Sequence, residues 1–317
     1  MGCLLVTVLL FNLSKSISIN IILYYFKKII YNNFKIIYNN FKMKKLITYI
    51  KRIVFKSNLR KNFDFTYKSQ KYSLEQILEY IFIVLKHGFV WRTLKLLKIS
   101  IHWNTIYKAF IKLSKLNIFE KTYKEMLKKY IRKTPGKKLK IQMTDTSFIR
   151  NKYGIDKIKR NKYAKNKKVM KISLITDING IPIHAQLFDG NMHDSKILMC
   201  HMNDKNLLIN KKILQKYKKY FLADKGYDSS KVKNMLTNKK YVPIIPVNKR
   251  NTKDINKLKV MNKEHKKIFK KRIIIENTFG ILKGAYKRLD SRYDKYVTNY
   301  ESFMFLAFIF LIQKYLN

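Results

Sequence analysis

Three carboxylates and two cations in the second half of the chain have the types and spacing for phosphate chemistry. Asp145 lies in the alternating stretch KLKIQMTDTSFIR, and Asp224 follows the apolar run KYFLA. Glu276 lies in IFKKRIIIENTFGILKGAYKRL, with Arg272 four residues before it and Lys283 seven after it. Two acids at strand ends and one on a later helix can converge on a divalent cation. A donor set made only of oxygen suits Mg²⁺ or Mn²⁺. Each acid also has a structural alternative. Asp145 and Asp224 can cap turns or pair with a lysine. Arg272 and Glu276 can form an ordinary i,i+4 helix pair, contributing about 0.2–0.5 kcal/mol.

These residues need a helix and a sheet to bring them together. At about 100° per residue, Arg272, Glu276, Lys283 and Phe269 fall on one narrow stripe of a continuous helix. Ile268, Ile275, Phe279, Leu282 and Tyr286 form the adjacent apolar seam, which predicts docking on a sheet. Upstream, KLKIQMTDTSFIR, VMKISLITD and IPIHAQLF read as strands, with an Asn179–Gly180 hairpin turn between the last two. DSKILMCHM reads as a helix, KYFL as a short buried strand, SKVKNMLTNKK as a helix and YVPIIPVN as another strand. A polar insertion at Lys249–Lys263 precedes the Glu276 helix. The order is that of an α/β domain.

The preceding region is helical. Ser73 and Gln76 form a capping pattern ahead of Leu74, Ile77, Leu78, Ile81, Phe82 and Leu85, and Gly88 is a natural stop. A second helical run, capped at Asn104, extends to Lys133 with Lys108, Lys112 and Lys115 on its polar side. Such helices fit either a helix-turn-helix DNA reader or a small bundle with a solvated basic face. Trp91 and Trp103 read as core anchors. Pro135–Gly136 within a charge run marks a boundary. The expected organisation is an N-terminal extension at 1–60, a helical DNA-binding domain at 61–130, a linker at 131–140 and an α/β domain at 141–317.

Composition narrows the partners. The 317 residues carry 69 Lys+Arg against 19 Asp+Glu, a net charge of +50, which favours a polyanion. An AT-rich coding sequence also raises Lys, Asn and Ile, so part of that charge can be compositional. Only ten of the cations are Arg. Of these, Arg92 lies in HGFVWRTL, Arg272 and Arg288 in the Glu276 segment, and Arg292 in RLDSRYD. Cys3 and Cys200 make neither a disulfide framework nor a zinc site and fit a reducing compartment. The start of the chain lacks a basic n-region and a clear cleavage site. IIYNNFKIIYNNFK at Ile29–Lys42 is a tandem heptad, and translation from Met43 would exclude it. FMFLAFIFLI is too short for a span and reads as a buried terminal helix.

The assembled motifs resemble DDE-class insertion-sequence transposases carrying a Y-R-E-K signature. Arg272, Glu276 and Lys283 keep that spacing, and Phe269 replaces the tyrosine. TDTSFI (144–149) and LADKGYDS (222–229) resemble the segments around the two aspartates. GNMHDS (190–195), RLDSRYD (288–294) and the upstream HGFVWRTL and HWNTIYKAF resemble further family segments. The resemblance covers roughly residues 70–317. It implies a ribonuclease H-like mixed sheet flanked by helices, with a helical N-terminal domain. It implies DNA cleavage and strand transfer at the terminal inverted repeats of an element, with two Mg²⁺ or Mn²⁺ ions held by Asp145, Asp224 and Glu276. Arg272 and Lys283 would hold DNA phosphates. His193, Asp194 and Tyr227 are secondary candidates, with His193 positioning a loop, Asp194 capping a helix and Tyr227 packing or touching backbone. The partner is double-stranded DNA, a homodimer is left open, and no stable membrane partner is expected. Location would be with DNA, in cytoplasm, nucleoid or nucleus, and not secreted. A domesticated nuclease, an inactive DNA-binding remnant and a membrane-associated basic protein are the alternatives.

Overall fold

The computed structural model describes residues 41–56, 72–97, 100–204, 217–248 and 261–316. The apolar N-terminal stretch, nearly all of the tandem heptad and most of the Lys249–Lys263 insertion lie outside them.

Four long helices precede the sheet among the described residues: α1 (Phe41–Lys56), α2 (Leu74–His87), α3 (Trp103–Lys115) and α4 (Ile118–Lys133). The N-terminus of α2 carries a reciprocal cap. Ser73 Oγ accepts from the Gln76 N–H at 3.3 Å, and Gln76 Oε1 accepts from the Ser73 N–H at 2.9 Å. Gly88, at φ +72°, ends the helix in the left-handed conformation that glycine adopts without strain. The second basic run departs from expectation. His102 is the cap of α3, its Nδ1 accepting from the Asn104 N–H at 3.3 Å, so Asn104 is already inside. The run then breaks at Asn117, whose φ of +54° is tolerated because a short polar side chain can enter the left-handed region.

The sheet is built from β1 (Ile141–Asn151), β2 (Lys159–Asn161), β3 (Lys167–Asp177), β4 (Pro182–Asp189), β5 (Lys219–Leu222), β6 (Tyr241–Ile244) and β7 (Ser291–Arg292). Its main spatial order is β4-β3-β1-β5-β6. The β4–β3 and β3–β1 pairs are antiparallel, and β1–β5 and β5–β6 are parallel. The short β2 extends the edge of β3 beyond β4, and β7 lies beside the far end of β1. α5 (Asp194–Asn203) and α6 (Ser230–Asn238) make the crossovers. After them come α7 (Lys263–Phe269), a 3₁₀ turn at Lys270–Arg272, α8 (Ile273–Ala285) and α9 (Val297–Gln313). Three antiparallel strands followed by two parallel ones, with helices on both faces, make this sheet ribonuclease H-like. β3 is buried from Val169 to Asp177, as a central strand covered on both faces must be.

One apolar core runs from Leu46, Ile50, Leu78 and Ile81 in the first helices through Ile131 and Leu139 to Met143 and Leu174 in the sheet. α9 lies within it, with Tyr300, Phe303, Phe308 and Ile312 fully buried. Trp91 packs against Phe110 at 5.1 Å and Phe303 at 5.9 Å, joining the helical region to the chain's end. No described helix is long and apolar enough to cross a membrane.

Candidate active site

The register of the parallel pair sets the first two acids. Met143 of β1 faces Leu222 of β5, the last residue of that strand. Two residues on, Asp145 lies within β1, paired with Leu174 of β3 and not at the strand end the sequence suggested, while Asp224 lies just beyond the end of β5. Local backbone donors fix each carboxylate. The Thr146 N–H donates to Asp145 Oδ1 at 2.8 Å, and the Gly226 N–H donates to Asp224 Oδ1 at 2.8 Å.

Glu276 arrives on α8, which buries Ile275, Thr278, Phe279 and Leu282 and leaves Glu276 on its open side. Thr278 Oγ1 donates to Gly180 O at 3.1 Å and pins the helix to the β3–β4 turn. The predicted uninterrupted helix is not formed, because the 3₁₀ turn at Lys270–Arg272 separates α7 from α8. This tighter turn carries the Arg272 guanidinium against β1. One arm donates to Asp145 Oδ2 at 2.8 Å and the other to Glu276. The i,i+4 pair therefore exists as one half of a bridge between helix and strand. Lys283 points elsewhere on β1, donating to Ser147 Oγ at 2.7 Å and Phe148 O at 2.7 Å.

The secondary candidates divide. Asp194 accepts from Thr146 Oγ1 at 2.9 Å and from the buried Lys171 ammonium at 2.8 Å. Lys171 also donates to Met192 O at 2.8 Å. The cap of α5 is His193, not Asp194: its Nδ1 accepts from the Ser195 N–H at 3.3 Å, the position that leaves the first-turn donors free for capping. Tyr227 is fully buried. Burial, then the charges of Asp194, Asp145 and Asp224, hold its hydroxyl well above the ordinary pKa. Sequence reasoning missed Lys171. The available signal was a lone lysine inside the otherwise apolar VMKISLITD.

Asp145 and Glu276 share the Arg272 guanidinium, and Asp224 lies close enough to Asp145 for its charge to act on it. Burial raises the pKa of Asp145, with Asp224 adding to the rise and the Thr146 N–H and Arg272 opposing it. Burial lowers the pKa of Lys283. Among the described residues no group of three or more His, Cys, Asp or Glu is placed to hold a metal ion, so the structure does not draw Asp145, Asp224 and Glu276 together as a metal site. Between Asp145 and Glu276 the Arg272 fork supplies the positive charge, standing in for a cation. Asp145, Asp224 and Glu276 are hard-oxygen donors of the type that suits Mg²⁺ or Mn²⁺, with Arg272 occupying Asp145 and Glu276.

Among solved structures, the chain is similar to a Mos1 transposase paired-end complex with the left transposon end. Identity is 11%, coverage is 67% of this chain and 79% of the other, and the TM-score is 0.22. A pre-cleavage Mos1 transpososome gives 12% identity, 69% and 80% coverage and a TM-score of 0.24. A Mos1 mariner paired-end complex with Mn gives 12%, 71%, 80% and 0.25. No curated protein matches. The transposase DDE domain family matches residues 133–312, more than half of the chain and the whole of the segment that carries Asp145, Asp224 and Glu276. The chain belongs to the transposase DDE domain family.

Proposed function

We propose that this protein cleaves double-stranded DNA at the terminal repeats of a mobile element and transfers the resulting strand ends. Asp145, Asp224 and Glu276 are the catalytic acids and hold two Mg²⁺ or Mn²⁺ ions. When bound, divalent cations there would supply Lewis acidity for phosphodiester hydrolysis and transesterification. The chain's own groups do the rest. Asp145 within β1 and Asp224 just beyond β5 anchor the site to the sheet, and Glu276 closes it from α8. Arg272, displaced from the carboxylates, is a planar fork within reach of a phosphate. Lys283 has three N–H donors, of which Ser147 and Phe148 take two, leaving one for the DNA backbone. The exposed Lys108, Lys112 and Lys115 of α3 offer a second, sequence-independent contact to the duplex.

The observation that carries this reading is the Arg272 bridge, which brings a strand carboxylate and a helix carboxylate to one charge inside the family-matched segment. The test is nicking of a duplex bearing the element's ends by the full chain, with Mg²⁺, with Mn²⁺ and with EDTA. Cleavage should require the cation. Asp224→Asn should lower it by at least about a hundredfold while duplex binding stays equal or tightens, because a negative charge near phosphate is removed. Cation-independent cleavage, or an Asp224→Asn variant as active as the parent, would overturn the assignment.

A further inference from the structure

The segment between the first two long strands is not needed to build the acid triad, yet it has a strongly biased surface. β2 and the start of β3 pair as Lys159↔Val169, Arg160↔Lys168 and Asn161↔Lys167, forming an antiparallel ribbon beyond the edge of β4. Its tip runs Lys162-Tyr163-Ala164-Lys165-Asn166, with Lys165 and Asn166 both left-handed at φ +53° and +55°. Lys159, Arg160, Lys162, Lys165, Lys167 and Lys168 are all exposed, and residues 157–176 contain no acid. None of these six cations has an ion-pair partner among the described residues. Tyr163 at the tip is 77% exposed, the most of any large apolar side chain described.

The ribbon is held in place. The Asn161 side chain is buried, donating to Gly190 O at 2.7 Å and accepting from the Tyr163 N–H at 2.8 Å. Arg160 Nη1 crosses to Asn166 O at 3.3 Å. A fixed two-stranded ribbon with six cations that lack an acidic partner among the described residues, and a tyrosine at its end, suits a DNA major groove, which admits such a ribbon.

We propose that the β2–β3 ribbon is a duplex-DNA clamp that enters the major groove beside the cleavage site. This rests on the DNA-cleaving reading above and adds the element that grips the flank. Its position follows from β1. Val169 pairs with Arg150, five residues along β1 from Asp145, which is about 17 Å of extended chain. Lys167 lies two residues beyond Val169, about 24 Å from the level of Asp145, so at about 3.4 Å per base pair the ribbon meets the duplex about seven base pairs from the scissile phosphate. Lys162, Lys165 and Lys167 contact phosphates, and Tyr163 sets its ring against the groove wall.

The test uses the full chain and a duplex carrying the element's ends, with binding read by anisotropy across a salt series. Lys162→Ala, Lys165→Ala and Lys167→Ala combined should weaken binding about tenfold or more near 0.1 M salt. The slope of log affinity against log salt should flatten by about two to three units, close to one per lost phosphate contact. Hydroxyl-radical protection about seven base pairs from the nick should disappear, and unchanged melting would exclude misfolding. Tyr163→Ala should weaken duplex binding without changing the slope. A triple variant with parental affinity and slope overturns the clamp while leaving cleavage, and the Asp224→Asn result, intact. An equal loss on single-stranded DNA of the same length overturns the groove assignment. A parent chain that binds no duplex at all overturns both readings together.

Discussion

At the scale of single residues, the Arg272 guanidinium is the decisive group, because it competes for the same carboxylate oxygens as a divalent cation. Each charge-assisted hydrogen bond contributes about 1.5–3 kcal/mol when buried. The Glu276 side chain is 44% exposed, so screening cuts the cost of releasing it to about 1 kcal/mol. Arg272→Gln should therefore raise the apparent Mn²⁺ affinity about fivefold, measured by Mn²⁺-dependent melting, while lowering cleavage. Unchanged affinity would show that the fork and the metal do not share oxygens. The pairing of Arg272 with Glu276 was legible because helix spacing is local. The arm on Asp145 was not, because it depends on where β1 lies. Arg288 and Arg292 show the same limit. Their planar forks look suited to phosphate, yet both are buried. Arg292 Nε donates to Asp294 O at 3.0 Å, and its other nitrogens hold the Asp156 backbone and carboxylate. Arg288 grips Asp294 at 2.9 Å and Phe89 O at 3.1 Å, tying the end of α2 to the C-terminal part. Residue type reveals what a side chain can grasp, and only the fold decides whether it grasps protein or ligand.

At the scale of elements, the local signals proved most readable. The Ser73–Gln76 cap and the Asn179–Gly180 turn depend on neighbours within a few residues. The break at Asn117 and the 3₁₀ turn before α8 were hidden, because apolar periodicity runs across both. The β3–β4 turn also buttresses the Glu276 helix. Gly180 has φ +73°, and a Cβ there would lie 2.7 Å from Thr278 Oγ1 on α8. Gly180→Ala should destabilise the protein by about 1–3 kcal/mol, combining left-handed strain with displacement of α8. It should lower cleavage as Glu276 moves. Removing the obstructing hydroxyl tests the coupling: Gly180→Ala with Thr278→Ala should be less destabilised than the sum of the two single variants, a non-additivity of about 0.5 kcal/mol or more. Strict additivity in urea melts would mean that the turn and the helix do not bear on one another.

At the scale of the whole molecule, folding compresses an excess of positive charge, so any group that must stay neutral to remain buried becomes an acid-sensitive point. His201 on α5 is fully buried, and neither ring nitrogen has a hydrogen-bond partner among the described residues. His184 meets it edge-on at 4.8 Å, and Phe188 lies at 5.6 Å. Burial first, then the charge of His184, against a weaker pull from Asp204, lowers the His201 pKa to about 3. The unfolded chain has an ordinary imidazole near 6.5 and so binds the extra proton. The sign follows: this site's share of stability is fully present above about pH 6.5 and drains away as pH falls towards 3, at about 1.4 kcal/mol per unit. At pH 5 the loss reaches about 2 kcal/mol. His201→Met keeps the volume apolar and leaves no polar atom stranded, so melting near neutrality should be equal or higher. The gap between variant and parent should then widen steadily from pH 6.5 to 4.5. Parallel melting curves across that range would show that the parent already charges or hydrates this histidine in the folded state, and that acid unfolding of this protein begins at its carboxylates.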